Sequence, residues 1–114
     1  KPVITLQLNT KTSTSADILV SGAQPASAPG NFKVNLQVGT TYGTAVAMAA
    51  NATVVVSAKN YYVLWQNPGG SGNVVGGDHF TIKYVAPLPT SGTAITLILI
   101  WTDGSTVAQV TYQV

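Results

Sequence analysis

The sequence predicts an all-β fold, in which about eight antiparallel strands form a two-sheet β-sandwich of the immunoglobulin-like or jelly-roll kind. Apolar and polar residues alternate along most of the 114 residues, and this period of two is typical of strands with one buried face. Segments rich in glycine, proline and small residues, at 22–30, 67–73 and 86–92, separate the alternating runs. We therefore expect residues 1–114 to form a single β-sandwich domain.

The first half of the chain supplies four of the expected strands. They lie at residues 3–9, 14–21, 32–38 and 53–58, and the second is the least regular. Residues 44–51, with several alanines and Met48, are compatible with either a short helix or a strand, since Val46 and Met48 also alternate.

The second half of the chain supplies four more expected strands, at residues 61–66, 80–84, 93–102 and 106–114. Asp103 and Gly104 join the last two. Asp-Gly between alternating runs indicates a hairpin with a two-residue turn, because both turn positions then need a positive φ.

The composition is unusually poor in charge. Five lysines and three aspartates make up 7% of the chain, which lacks arginine, glutamate and cysteine, whereas 46% of its residues are apolar. About a quarter of the residues of an ordinary soluble domain are charged. We therefore expect either that partner subunits or sugar cover the surface, or that the protein works in surroundings where charged side chains give no advantage. The scattered lysines and net charge of +2 argue against nucleic-acid binding, and no apolar run is long enough for a membrane span.

Catalysis is not expected of this chain. The three aspartates are far apart in sequence, and His79 is the single histidine. The loop around Ser71 resembles a nucleophile elbow but lacks its final glycine. His79, beside Asp78, is predicted to be a turn residue. Neither Asp78 nor Asp103 lies in an acidic loop of calcium-binding spacing, so we expect neither a metal nor a cofactor.

The predicted strand near the C-terminus is apolar on both faces. Leu97 and Leu99 would point one way, and Ile98 and Ile100 the other. Either loops or a small helix at residues 44–51 cover the outer face, or another subunit contacts it, since exposed apolar patches usually mark interaction surfaces.

The first predicted strand carries Val3, Ile4, Leu6 and Leu8 and is followed by a Ser/Thr-rich segment, residues 10–15, which we expect to be a flexible hinge. Such a strand can complete its own sheet as an ordinary first strand. Alternatively, residues 1–10 can act as a donor strand that adds to a neighbour's sheet. Head-to-tail addition of this kind does not close and builds a filament.

Two further sites suggest contact with carbohydrate. Tyr61, Tyr62 and Trp65 could stack on a sugar, as could Tyr42, although the alternation also fits Trp65 and one tyrosine as core residues. Asn51 begins an Asn-Ala-Thr triplet, the acceptor for N-glycosylation, just before a predicted strand.

The Thr/Val/Tyr-rich strands, the absence of arginine and glutamate, the triplet at Asn51 and the final hairpin resemble archaeal extracellular filament subunits. The relevant relatives are the immunoglobulin-like head of archaeal pilins and archaellins, and thread-like filaments assembled by donor-strand insertion. The sequence departs from archaeal pilins because it lacks their long apolar helix, so it is either a head without its helix or a subunit that polymerises by strands. The strand predicted at its start favours donor-strand assembly.

This resemblance implies a structural subunit of an extracellular, cell-surface filament, which polymerises with identical subunits and serves adhesion. Val3, Ile4, Leu6 and Leu8 would be its donor side chains, and Ile98 and Ile100 would add to the subunit interface. Two alternatives remain: a carbohydrate-binding module or lectin, and a viral capsid or decoration protein built on a jelly roll.

Overall fold

The computed structural model describes residues 1–114 and shows an all-β architecture, as predicted. Its strands are β1 (Val3–Lys11), β2 (Ser15–Gln24), β3 (Phe32–Val38), β4 (Thr41–Tyr42), β5 (Val46–Ala47), β6 (Ala52–Val56), β7 (Lys59–Gln66), β8 (His79–Tyr84), β9 (Ala94–Trp101) and β10 (Thr106–Gln113). A single 3₁₀ turn covers Pro29–Asn31. None of the helical structure is long and apolar enough to cross a bilayer.

The strands form two antiparallel sheets packed face to face. The first sheet has the order β1-β2-β8-β7-β6, and the second has the order β10-β9-β3-β4, with β5 pairing another part of β3. Without β4, β5 and β6, the remaining strands follow the A-B-E-D and G-F-C orders of an immunoglobulin domain. Of the two predicted sandwich topologies, the structure therefore has the immunoglobulin-like one.

The core lies between the sheets and is built from the alternating apolar positions. In the first sheet Ile18, Phe80 and Ile82 are fully buried, and in the second sheet Leu97 and Leu99 are. The eight predicted runs are all strands, because each of them can bury one such face. The ambiguous segment at residues 44–51 contains the two-residue strand β5 and no helix.

The turn chemistry differs from the prediction. The last hairpin forms, but Gly104 alone has a positive φ (86°) and its N–H donates to the Trp101 carbonyl, 2.9 Å away. The predicted two-residue turn is therefore wrong here. A turn with two positive φ values instead joins β6 to β7 through Ser57 and Ala58, at 51° and 60°. No residue pattern indicated this turn, because neither residue is a glycine or asparagine.

Candidate functional site

The sandwich has one lateral edge where the first and last strands run side by side without pairing. The strand β1 is hydrogen-bonded to β2, and β10 to β9, but no ladder joins β1 to β10. Edge strands of this kind present unpaired N–H and C=O groups, which can accept a strand from another chain. We call the pair β1 and β10 the open edge.

Two lysines tie the open edge together at its ends. The Lys1 ammonium donates to Ser105 Oγ, 2.8 Å away, and to the Thr106 carbonyl oxygen at 3.4 Å. The Lys11 ammonium donates to the Gln113 carbonyl oxygen. Since β1 and β10 both start at the Lys1 end, the two strands run in the same direction. These links are exposed side-chain contacts, and no backbone ladder joins the two strands between them.

The predicted donor residues lie on β1 as the alternation requires. Ile4 is buried (6% exposed), Leu6 and Leu8 are half-buried against the core, and Val3 is 74% exposed. In the structure β1 thus completes its own sheet. Its register with β2 shifts twice, between Thr5 and Leu6 and between Leu8 and Thr10. Such irregularities are common on edge strands and weaken the ladder locally.

The connection after β1 is a tight turn and not the flexible hinge expected at residues 10–15. Thr10 and Lys11 belong to β1. Thr12 Oγ1 then accepts hydrogen bonds from the N–H groups of Thr14 (3.2 Å) and Ser15 (3.1 Å). The threonine and serine hydroxyls that suggested a loose segment are used to stabilise this turn.

The outer face of β9 exposes less apolar surface than its sequence suggested. Ile98 lies between Asn35 and Gln109 in the sheet register and is 8% exposed. Ile100 is half-buried. Residues 44–51 do not form a covering helix, and β5 pairs with β3. Among the predicted interface residues of β9, only Ile100 therefore offers appreciable apolar surface.

The aromatic segment does not form a continuous platform. Tyr61 points into the core, where it is 3% exposed and makes an edge-to-face contact with Tyr84, so the prediction that it stacks on a sugar is wrong. Tyr62 lies half-buried on the opposite face. Trp65 is half-buried, and its indole N–H donates to Asp78 Oδ2 at 2.9 Å. Tyr42, which is 63% exposed, lies in the second sheet.

A buried carboxylate was missed by the sequence reasoning. Asp78 is 1% exposed and accepts hydrogen bonds from Trp65, from Asn67 Nδ2 (2.8 Å) and from the Val75 N–H (3.1 Å). These bonds fix the ends of the glycine-rich loop between β7 and β8. The donors lie up to 13 residues from Asp78 in the sequence, so no local sequence pattern indicates this hydrogen-bond network.

His79 is also placed differently from the prediction. It begins β8, and its Nδ1 lies 2.9 Å from Asp17 Oδ2, which also accepts a hydrogen bond from Asn9 Nδ2 at 2.8 Å. This chain of polar contacts links β8, β2 and β1 on the outer face of the first sheet. The contact with Asp17 orients the imidazole. Its presence is explained by structure alone, because it links three neighbouring strands.

Two buried tyrosines connect the sheets beside the open edge. The hydroxyls of Tyr84, on β8, and Tyr112, on β10, lie 2.6 Å apart. Burial raises the pKa of Tyr84, an effect partly offset by its hydrogen bond with Tyr112. Burial, together with that same hydrogen bond, raises the pKa of Tyr112 strongly. Both side chains therefore stay neutral well above the ordinary pH range.

Asn51 occupies an exposed turn position directly before β6. Its side chain is therefore accessible, as glycosylation requires, and the predicted modification stays a prediction. No group of three or more His, Cys, Asp or Glu side chains is arranged to hold a metal ion.

The fold and the open edge define an immunoglobulin-like sandwich domain with one unpaired side. The chain matches no protein-family model, and no curated protein matches it significantly. Among solved structures it is similar to the archaellum periplasmic stator protein FlaG from Sulfolobus acidocaldarius, with 15% identity and a TM-score of 0.50. The likeness covers 96% of this chain and all of that one. At this identity the comparison shows a shared fold.

Proposed function

We propose that this protein is a structural component of an archaeal surface-filament machinery and that it acts outside the cytoplasm, at the cell surface. The open edge is the observation that carries the proposal, because it offers unpaired strands for assembly. The shared fold with an archaellum stator protein supports it. So does the scarcity of charge, which suits a surface covered by neighbouring subunits.

We further propose that identical subunits polymerise by exchanging β1. In this arrangement residues 1–10 leave β2 of their own chain and pair with β2 of the next. Ile4, Leu6 and Leu8 then make in the neighbour the contacts that they make within one chain here. Because the same contacts form in both states, strand exchange costs little free energy. An exchange that runs head to tail does not close and builds a filament.

Other surfaces would complete such a filament. Val3 is 74% exposed at the start of β1 and is free to contact the next subunit. Ile100, with the small exposed part of the Ile98 side chain, would add a smaller apolar contact. A glycan on Asn51 would hydrate a surface that has few charges, and adhesion would be a property of the assembled filament.

Because the chain has no cysteine, a disulfide can be used to test strand exchange. Gln7 and Leu19 are register partners on β1 and β2, so the double variant Gln7→Cys/Leu19→Cys would lock β1 in its own sheet. The matched control is Val55→Cys/Asn60→Cys, which links the register partners of β6 and β7. Negative-stain electron microscopy and solution mass would be compared with and without reductant.

Strand exchange predicts that the oxidised β1 lock stays monomeric, that reductant restores filaments, and that the control polymerises in both conditions. Filaments of the oxidised lock would disprove exchange but leave a filament protein that assembles through other surfaces. A wild-type protein that remains monomeric at high concentration, alone and with membrane-surface extracts of an archaeon, would disprove the proposed function itself.

A further inference from the structure

The core of the sandwich is incompletely covered along the open edge. Ten apolar residues pack against the core while staying partly exposed, and six of them lie on β1, on β10 or directly after β10: Leu6, Leu8, Val107, Ala108, Val110 and Val114. On the neighbouring strand β9, the inward-facing Leu97 and Leu99 are fully buried. Half-covered apolar side chains therefore collect at the open edge, as at a surface that another chain completes.

Part of the backbone of β10 faces the open edge without a partner. The carbonyl oxygens of Thr106 and Gln113 point to this side, since they accept hydrogen bonds from the two lysines of β1. The register with β9 is continuous from Ala108 to Gln113, and backbone direction alternates along a strand. The N–H and C=O groups of Gln109 and Thr111 therefore also face the open edge, where no hydrogen bond within the chain uses them.

The strand β10 has none of the features that usually keep an edge strand from pairing. It contains no charged residue, proline or glycine, and its only register shift lies near its start, between Thr106 and Ala108. In contrast, β1 is irregular at two places and ends in Lys11. Because charges, prolines and bulges protect edge strands, β10 is the strand of the open edge that can accept another strand.

We propose that β10 is a contact surface for a second copy of the chain, whose own β10 pairs with it in antiparallel fashion about a twofold axis. The axis passes through the position of Val110. Gln109 then lies opposite Thr111 of the second copy, and Thr111 lies opposite Gln109 of the second copy. Both pairs are hydrogen-bonded pairs, so the free N–H and C=O groups of each residue find their partners.

The side chains of β10 suit pairing with themselves. The two Val110 side chains lie directly opposite each other on the inward face, at a non-hydrogen-bonded position, where side chains come closest. Ala108 lies opposite Tyr112 of the second copy. The half-covered apolar side chains of β10 are thus buried by the same strand of the other chain. No like charges meet, because every opposing side chain is uncharged.

The lysine links also favour a second copy over a longer foreign strand. A strand that paired with β10 along its whole length would have to displace Lys1 from Thr106 and Lys11 from Gln113. Pairing centred on Val110 uses the residues between these links and leaves both in place.

This contact goes beyond the exchange of β1 and does not depend on it. A twofold contact closes with two chains, whereas head-to-tail exchange continues indefinitely. The pairing of β10 therefore joins two monomers, or two filaments, side by side.

A single introduced thiol tests this register, because the chain has no cysteine and any disulfide must join two copies. The two Val110 positions are expected about 4.5 Å apart at Cα, within the reach of a disulfide. Val110→Cys should give a covalent dimer in a glutathione redox buffer, seen on a non-reducing gel. The control is Thr111→Cys, which is more exposed but lies diagonally across the axis from its copy, about 7–8 Å away. It should cross-link about tenfold more slowly.

Charge swapping then tests the contact independently of folding. In the Val110→Cys background, Gln109→Lys/Thr111→Lys sets lysines opposite lysines and should suppress the cross-link several-fold. Gln109→Glu/Thr111→Glu should do the same. A mixture of the two should recover a cross-linked heterodimer, identified by intact mass, which misfolded variants could not form. The matched control is Thr53→Lys/Gln66→Lys, at exposed positions of the first sheet, and it should cross-link like Val110→Cys alone.

Four results would overturn this proposal. They are cross-linking of Val110→Cys no faster than that of Thr111→Cys, a cross-link that persists in the lysine variant, no recovery when the lysine and glutamate variants are mixed, and equal suppression by the first-sheet control. The disulfide forms in monomers and filaments alike. Cross-linking of Val110→Cys in a protein without filaments would therefore support this contact and count against the exchange of β1.

Discussion

The two lateral edges of this sandwich are closed by different kinds of contact. At the edge formed by β6, the segment that carries β4 and β5 crosses between the sheets and makes backbone hydrogen bonds. The Thr44 N–H donates to Val55 O at 3.2 Å, and the Trp65 N–H donates to Ala49 O at 3.1 Å. We call this side the closed edge.

The open edge has no such backbone links. Lysines at its two ends hold β1 and β10 near each other, and the buried hydroxyl pair of Tyr84 and Tyr112 links β8 to β10 beside them. Separating β1 from β10 would therefore break side-chain contacts, most of them in contact with water. The two edges of the same fold therefore differ, with backbone hydrogen bonds on one side and side-chain contacts alone on the other.

The largest expected effect comes from removing β1. Deletion of residues 1–10 should cost roughly 5 kcal/mol, because Ile4 is buried, Leu6 and Leu8 are half-buried, and each such aliphatic side chain contributes about 1.5–3 kcal/mol when fully buried. A synthetic peptide of residues 1–10 should restore the native circular dichroism and thermal midpoint. The same peptide with Ile4→Asn should not. A deletion variant as stable as the whole chain would contradict the role given to β1.

The next effect tests the closed edge. A Cβ added to Gly43 would lie 2.8–2.9 Å from Val56, Asn35 and Val54, which is too close for any of them. Gly43→Ala should destabilise the protein by about 2–3 kcal/mol through overpacking, measured by urea unfolding. Gly69→Ala is the control, because its Cβ meets nothing within 4 Å. Equal stability of the two variants would mean that the closed edge is looser than described.

A smaller effect concerns the tyrosine pair beside the open edge. Because the folded state raises the pKa values of Tyr84 and Tyr112, it holds their protons more tightly than the unfolded chain does. Stability should therefore be fully present below pH 10 and fall above it, by up to about 1.4 kcal/mol per pH unit for each tyrosine. Tyr112→Phe should cost about 1 kcal/mol near neutral pH and make the alkaline fall less steep.

Urea midpoints between pH 8 and pH 12 would measure this dependence. Tyr42→Phe is the matched control, since Tyr42 is 63% exposed. If the stability of Tyr112→Phe falls as steeply with rising pH as that of the wild type, the tyrosine pair does not control the alkaline loss of stability.

The smallest effect comes from the lysine links of the open edge. Lys11→Gln should change the free energy of unfolding by less than about 0.5 kcal/mol, as expected for an exposed contact. Hydrogen exchange of the β1 amides should nevertheless become faster, with no change on β6. Lys83→Gln is the control. Unchanged exchange on β1 would show that Lys11 does not help to retain the strand.

The strands were predictable because alternation is a local property of the pleated backbone. The bounds of β3 agree with the prediction, and β6 alternates between buried and exposed residues along its whole length. The same pattern put Tyr61 and Tyr62 on opposite faces. It did not show which face meets the core, and Tyr61 is buried because β8 brings Tyr84 against it.

The candidate sites were less predictable because their parts are distant in sequence. Lys1 and Ser105 meet across 104 positions at the open edge. Asp78 collects donors from the end of β7 and from the loop that follows it, and Trp101 meets Phe32 only when β9 pairs with β3. Sequence reasoning therefore located the strands and the aromatic residues but missed the open edge and the hydrogen bonds around Asp78.

The sequence alone determined where the strands lie, which residues share a face, and how few ionisable groups the protein has. Each of these follows from neighbouring residues or from composition. Only the tertiary structure decided the strand order, which edge stays open, and that β1 completes its own sheet. Those features depend on pairing between strands that are far apart in the chain, and the period-two pattern is the same for every partner that a strand could choose.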